Sequence, residues 1–427
     1  MWTDPRLVCL QVFCSSLRSC CVKRRVVVGL RRKEVDIQHP RCCRPASHHS
    51  CLLYTRPYST PGPPRRSTPG PPRRSTPGPP PRSTPGPPWR VLFFGTDHFA
   101  VESLKRLTSA RSSSERIVES LEVVSLSSDT QVKKFADQNQ LPVHPWPPGD
   151  VYGRFDVGVV VSFGCLLRES LINQLPHGIL NVHPSLLPRW RGPAPIFHTI
   201  LHGDTVTGVT IMQIHPRRFD VGPILHQTVY QVPENCTADQ LGATLATEGA
   251  QLLIETLKTL PERIANRREQ GETGATLAPK IRSSLSWIVW EEQTCDQISR
   301  LYRAIGSRIP LRTIWMGKTI KLMDFVGNCQ VSISGHGSAP IPGSVRYLRE
   351  RNTLAVCCKD GWVGFKAVVL KKRLSAADFY NGYLHQSRTK KPSHQNQECR
   401  FLSNRTEAYQ MTECTDTRAH HPMTCTT

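Results

Sequence analysis

From residue 90 onward the apolar positions change period several times along the chain. Val91-Leu92-Phe93-Phe94 is a continuous apolar run that closes on Gly95, the pattern of a strand buried on both faces. Asp97 then offers an N-cap, and Phe99, Val101, Leu104 and Leu107 recur at helical spacing. Leu121–Leu126 predicts a second strand, Val132–Ala136 the start of a short helix, and Val157–Phe163 (VGVVVSF) a central strand of a parallel sheet. Gly178–His183, Gly208–Ile214 and Ile224–Val232 predict three more strands, and Thr237–Leu260 a long amphipathic helix with a Thr cap. Strands alternating with helices predict an α/β sheet of the doubly wound, Rossmann-like kind. A dinucleotide fingerprint would need GxGxxG after the first strand; Gly95 stands alone there, which argues against a nicotinamide cofactor.

Residues 263–285 are polar and read as a linker. Residues 290–306 then give one helix (Ile298, Leu301, Tyr302, Ile305), and the β-type runs Thr313–Trp315, Thr319–Phe325, Gly343–Tyr347, Leu354–Cys357 and Trp362–Leu370 predict a small five-stranded barrel. Residues 386–427 are polar and unpatterned and predict a disordered tail. No run approaches the length of a membrane-spanning helix.

Composition changes the picture at the amino end. The 427 residues carry a formal net charge of +22, but residues 1–90 hold 17 Lys/Arg against 3 acids and the rest 38 against 30. Residues 1–58 are Arg- and Ser-rich and poor in acids, as organelle transit peptides are, and predict import into mitochondria. A secretory signal would have only the short Leu7–Phe13 as its apolar region, followed by more positive charge than such signals carry. Residues 59–89 repeat STPGPPRR with a period of eight, a proline-rich spacer of polyproline type. Six of the 16 cysteines lie between residues 165 and 358 without a CxxC pair, which predicts a reduced core with no zinc site. His198 and His202 have the i, i+4 spacing of a zinc pair, but position 199 is Thr and no third ligand is evident, so they read as packing or surface histidines.

The candidate chemistry sits in residues 178–196, GILNVHPSLLPRWRGPAPI. Asn181, His183 and Ser185 alternate with Val182 and Pro184, so a strand would present all three on one face. An amide can donate to a developing oxyanion, and an imidazole can take or give a proton. Asp220, in the turn HPRRFDVGP after a strand, is a candidate to join them, because loops at strand carboxyl ends of a parallel sheet converge on one crevice. Asn, His and Asp without an activated nucleophile suit direct acyl-type transfer. Ser185 lacks the GxSxG setting of a serine hydrolase.

These residues resemble a known family. NVHPSLLPRWRGPAPI, with FFGT at 93–96, GDTVTGVTIMQI at 203–214 and FDVGPIL at 219–225, is similar to the methionyl-tRNA formyltransferases from about Val91 to about His385. The resemblance implies formyl transfer from 10-formyltetrahydrofolate to the methionine of initiator methionyl-tRNA. It implies Asn181, His183 and Asp220 as the catalytic trio and Ser185, Leu186, Leu187 and Pro188 as the folate-contacting segment. A pterin pocket is expected near Val160–Leu167, and the barrel is expected to be an OB-like tRNA-binding domain. Arg189, Trp190 and Arg191, with Arg217 and Arg218 nearby, are candidate tRNA contacts. So are Lys371, Lys372 and Arg373 on a barrel whose residues 286–385 carry 14 Lys/Arg against 7 acids. The family's longer basic loop after the second strand is here the short SLSSDTQVKK, residues 125–134. The expected division is 1–58 transit peptide, 59–89 repeat linker, 90–262 formyltransferase domain, 263–285 linker, 286–385 OB-like domain and 386–427 tail. The expected form is a monomer without metal in the mitochondrial matrix. Formyl transfer to a small amine, or an RNA-binding module with an inactive catalytic domain, are the rival readings.

Overall fold

The computed structural model describes residues 86–127, 129–332, 340–385 and 400–404. The expected transit peptide, the repeat up to residue 85, and residues 386–399 and 405–427 of the expected tail lie outside the described residues. The first half runs β1 (Trp89–Gly95), α1 (His98–Ser112), β2 (Val118–Ser125), α2 (Gln131–Gln138), β3 (Val143–Pro145), β4 (Val157–Val161) and the short α3 (Glu169–Ile172). It continues with β5 (Ile179–His183), α4 (Pro195–His202), β6 (Val206–Gln213), β7 (Ile224–Gln231), α5 (Ala238–Lys258) and α6 (Leu260–Ala265).

These strands form one sheet in the order β3-β2-β1-β4-β5-β6-β7. Strands β1 to β5 pair in parallel, while β6 and β7 pair antiparallel. All five residues of β4 are buried, as its unbroken apolar run requires. Local chemistry sets the helix starts. Asp97 Oδ1 accepts the Ala100 N–H at 3.1 Å at the start of α1, and Thr237 and Gln240 form a reciprocal capping box at the start of α5. Indole Nε1 of Trp89, at the foot of β1, donates to the Leu257 carbonyl at 2.7 Å and ties α5 down over the sheet.

The second half contains α7 (Cys295–Ile305), β8 (Leu311–Trp315), β9 (Lys318–Asn328), β10 (Val345–Leu348), β11 (Thr353–Cys357), β12 (Trp362–Val369), β13 (Arg373–Ser375) and α8 (Ala376–Phe379). The strands pair antiparallel in the order β10-β11-β12-β9-β8, with β13 beside β12, in keeping with the OB-like expectation. The sixth strand, β13, was not expected. It is only three residues, Arg373-Leu374-Ser375, too short to show a period.

Two expectations are corrected. Part of the tail is structured: Leu402 exchanges backbone hydrogen bonds with Ile314 of β8 (3.0 and 2.8 Å), and Phe401 N–H donates to the Gly343 carbonyl just before β10 at 2.8 Å. Residues 400–404 therefore bridge the two ends of the open sheet. Phe401 is 1% exposed and packs among Trp290, Trp315 and Phe379. An isolated Phe-Leu pair in a polar tail carries no periodicity, so pattern alone could not place it. Nor is the 263–285 stretch a slack connector: Arg268 bridges to Ile224 and Leu277 to Arg191, so it lies against the first sheet domain as a strap.

The halves also join directly. Arg303 of α7 donates to the Cys236 carbonyl at 3.0 Å, Arg308 pairs with Asp239 at 2.6 Å, and buried apolar residues of both halves form one cluster. The six cysteines of the described region are free. Among them Cys295 and Cys358 face each other at 3.3 Å beside Asp360, which accepts the Cys295 N–H at 2.7 Å. No described helix is long and apolar enough to cross a membrane.

Phe401→Ala is expected to lower stability by about 3–5 kcal/mol in denaturant unfolding, as for a fully buried aromatic; a loss near zero would mean the segment is not packed. A pH dependence follows from His177, His198 and His226. Burial is the leading cause that pushes all three below the usual 6.5; a charge on His202 adds to it at His198 and the charge of Arg263 at His226. Each binds a proton less readily folded than unfolded. Their contribution is therefore complete above pH 6.5 and is lost as pH falls through the folded pKa values. The thermal midpoint is expected to hold between pH 7.5 and 6.5 and to fall from there toward pH 5, and an unchanged midpoint below pH 6.5 would contradict this.

Candidate active site

Strand β5 carries two of the three expected groups. Its alternation sends Leu180 and Val182 into the main core, while Ile179 packs in a second cluster on the opposite face. Asn181 and His183 share that opposite face. The third expected group on it, Ser185, leaves the strand's line: it is fully buried, and its Oγ donates to the Arg189 carbonyl at 2.7 Å.

Asp220 does reach Asn181 and His183, but not by the parallel-strand route expected. Because β6 is antiparallel to β5, its register pairs Leu180 with Gln213 and His183 with Thr210. The chain therefore leaves β6 at the wrong end of β5. Residues 214–223 fold back to correct this. Gln213 N–H donates to the Pro223 carbonyl at 3.0 Å, and a Cβ at Gly222 would sit 1.9 Å from the Gln213 carbonyl oxygen, so the loop doubles over itself only because that residue is glycine. Asp220 adopts a left-handed backbone, φ 53°, at the tip. Aspartate is one of the few side chains that tolerate this conformation.

The carboxylate then gathers donors from two segments. Asp220 Oδ1 accepts from Asn181 Nδ2 at 3.0 Å, and Oδ2 accepts the Gly192 backbone N–H at 3.0 Å. His183 Nδ1 lies 3.6 Å from Asp220 Oδ1, beyond a direct hydrogen bond; the two side chains are 5% and 12% exposed. His183 Nε2 lies 2.9 Å from the Trp190 carbonyl. A carbonyl only accepts, so Nε2 carries a hydrogen and Nδ1 is the ring nitrogen left facing Asp220. The site thus offers an amide with one N–H still to aim, an imidazole nitrogen turned toward a carboxylate, and that carboxylate beside both.

Known proteins resemble this chain along most of its described length. Residues 152–257 match the formyl transferase family and residues 280–384 match the formyl transferase C-terminal domain. The human protein named methionyl-tRNA formyltransferase, mitochondrial, is 57% identical over 322 residues, which span 73% of this chain and 82% of the human one. A bacterial methionyl-tRNA formyltransferase from Magnetococcus marinus is 33% identical over 311 residues, 69% of this chain and 96% of that one. Among solved structures, HypX from Aquifex aeolicus in complex with tetrahydrofolic acid is 18% identical with a TM-score of 0.46, covering 69% of this chain and 47% of HypX. The chain belongs to the methionyl-tRNA formyltransferases.

The remaining expected residues of this formyltransferase fall into different settings. Arg189 is half exposed, but it makes a two-pronged ion pair with Asp204 (2.8 and 2.6 Å) and stacks 4.3 Å from the Trp190 ring. Burial alone would push Asp204 up, yet the bonds from Arg189 and from Trp190 Nε1 at 2.7 Å together hold it below the usual carboxylate value. His198 and His202 pack against the same indole with tilted rings, the packing role expected of them, and Trp190 itself is 5% exposed, which does not suit the tRNA contact expected for it. Arg191 is 7% exposed, and its guanidinium meets Gln270, Glu272 and the Gly271 carbonyl. That setting does not suit the tRNA contact expected for Arg191; its charge is used inside the protein.

Of the expected loop 125–134, Lys133 and Lys134 lie on α2, where Lys133 pairs with Asp137 (2.6 Å) and Lys134 with Asp129 (3.4 Å). Arg217 pairs with Glu169 at 2.9 Å beside the exposed Phe219. On the barrel, Lys371 and Lys372 are exposed at the turn between β12 and β13, while Arg373 pairs with Asp324. Sequence reasoning missed Gln270 and Thr276 of the strap. Thr276 Oγ1 accepts the Trp190 N–H at 2.9 Å, and its carbonyl accepts the Arg191 N–H at 2.8 Å. A polar stretch without period gave no signal for either.

Gly192 is held where no other residue fits: φ is 120°, and a Cβ would lie 2.9 Å from the Ala278 carbonyl oxygen. Gly192→Ala is expected to cost roughly 1–3 kcal/mol and to lower activity by displacing an Asp220 donor. Gly149→Ala, where a Cβ meets nothing within 4 Å, is expected to change stability by less than about 0.5 kcal/mol. Equal effects in urea unfolding would contradict the strain at Gly192.

Proposed function

We propose that this enzyme transfers the formyl group of 10-formyltetrahydrofolate to the amino group of methionine on initiator methionyl-tRNA, for translation initiation in the mitochondrial matrix. The observation that carries the chemistry is the meeting of Asn181, His183 and Asp220, with Asn181 Nδ2 3.0 Å and His183 Nδ1 3.6 Å from the same carboxylate oxygen. The Arg- and Ser-rich amino end and the mitochondrial name of the human relative support the location. The folate supplies the formyl carbon, and the residues present suit such a co-substrate. Leu186 and Pro188 are half-buried within the expected Ser185–Pro188 segment, while Ser185 and Leu187 face inward and would shape it from behind. Within Val160–Leu167, the half-exposed Leu166 follows a turn at Gly164 with φ 76°.

In the proposed reaction the methionine nitrogen attacks the formyl carbon, and negative charge builds on the formyl oxygen. The second N–H of Asn181 and a protonated Nδ1 of His183 would donate to that oxygen, a stabilisation worth on the order of 100- to 1,000-fold per donor. As the carbon–nitrogen bond to the folate breaks, His183 would pass its proton to the leaving nitrogen. Asp220 would take the proton lost by the attacking amine, directly or through one water. Return of that proton across the gap to His183 Nδ1 resets the site. Arg189, Lys371, Lys372 and Arg373 remain the proposed tRNA contacts, acting mainly on the phosphate backbone. Arg191 is assigned instead to holding the site together.

The test is formylation of charged initiator tRNA by the purified chain with 10-formyltetrahydrofolate. Formylmethionyl-tRNA is the expected product; formylation of glycinamide ribonucleotide but not of tRNA would redirect the assignment to a small amine. Asn181→Ala and His183→Ala are each expected to lower kcat at least ~100-fold with tRNA affinity nearly unchanged. Wild-type kcat in both variants would remove the assigned roles.

A further inference from the structure

We propose that Gln270, on the strap between the two halves, is a positioning residue that fixes Asp220 for formyl transfer; this rests on the catalytic reading given above. Asp220 stands at the tip of a loop that has to double back against the direction of β6, in a left-handed backbone that costs free energy to hold. Something outside the loop must therefore pin it. Gln270 Nε2 does so from behind: it donates to the Asp220 carbonyl at 3.1 Å and to the Gly222 carbonyl at 2.8 Å. Its Oε1 accepts from Arg191 Nε at 3.1 Å. Two carbonyls on one side and a guanidinium N–H on the other leave the amide a single satisfactory orientation.

The consequence is that one side chain joins both segments that meet at the carboxylate. On one side it holds the backbone of Asp220 itself. On the other it holds Arg191, the residue before Gly192, whose N–H donates to Asp220 Oδ2. Arg191 is further anchored to the strap by its own backbone, through Thr276 O at 2.8 Å and Ala278 N at 2.7 Å, and by Glu272 at 3.2 Å. The strap reaches this point from Arg268, which exchanges two backbone hydrogen bonds with Ile224 (2.8 and 2.9 Å) at the far end of the Asp220 loop. Gln270 thus touches no reacting atom. It sets the separation between Asp220 and His183, which the proposed proton return depends on.

The experiment compares Gln270→Ala in the wild-type full-length chain and in an Asp220→Asn chain, by steady-state formylation of initiator methionyl-tRNA. In the wild-type background kcat is expected to fall about 10- to 100-fold, the effect of an ångström-scale misplacement, with KM for folate and for tRNA within about twofold and a nearly unchanged thermal midpoint. In the Asp220→Asn background the same change is expected to alter kcat by less than about twofold, because the group it positions is already disabled. Equal loss in both backgrounds, or a rise in KM with kcat intact, overturns the inference while leaving the catalytic reading in place. An Asp220→Asn chain with wild-type kcat overturns the catalytic reading and the inference together. Should Gln270→Ala not fold, Gln270→Asn keeps the amide but draws it back by one methylene. It is expected to give the same pattern, and full activity in it overturns the proposal.

Discussion

A carboxylate largely withdrawn from water needs donors, and Asp220 has them from two distant segments. The Asn181 amide comes from the middle of a sheet strand, and the Gly192 N–H comes from the loop that follows it. Much else in the first domain reads as the means of bringing those donors to one point. β5 is held between a parallel and an antiparallel neighbour. The loop after β6 is turned back on itself around Gly222, and the strap presses Gly192 against Ala278. Losing any of these supports leaves the carboxylate short of a partner, which is costlier for a buried charged group than for a neutral one.

Much of this was legible in the sequence, and the reasons are specific. The period-two alternation of Asn181 and His183 on an apolar strand fixes their common face, whatever the fold around them. The FFGT opening and the buried run at Val157–Val161 require a parallel sheet centre. Arg191 was misread because an arginine between Trp190 and Gly192 looks like surface charge; only tertiary contact with Gln270 and Glu272 makes it internal. The convergence of Asp220 was expected for the wrong reason. Nothing local to GVTIMQI distinguishes a strand that runs parallel from one that runs antiparallel, and the return loop makes up the difference.

The two halves differ in how they use charge. Around the candidate site, arginines are paired with acids: Arg189 with Asp204, Arg191 with Glu272 and, on the surface, Arg217 with Glu169. Even Lys133 and Lys134 at the start of α2 are matched by nearby aspartates. On the barrel, Lys371 and Lys372 stand exposed at a strand turn. The partly buried pairs of Arg189 and Arg191 can hold their geometry at varying salt, because such charges are screened less than exposed ones.

The bridge made by residues 400–404 gives the carboxyl-terminal region an importance that its composition hides. A stop codon between the codons for residues 386 and 400 would leave the catalytic domain's coding sequence untouched. It would nevertheless strip the edge of β8 at Ile314 of its partner and open the aromatic cluster at Trp290 and Trp315 to solvent. Unpaired strand edges and exposed aromatic surface invite self-association and proteolysis. The damage from such an allele would be read in protein abundance, with the surviving molecules still able to carry out the chemistry.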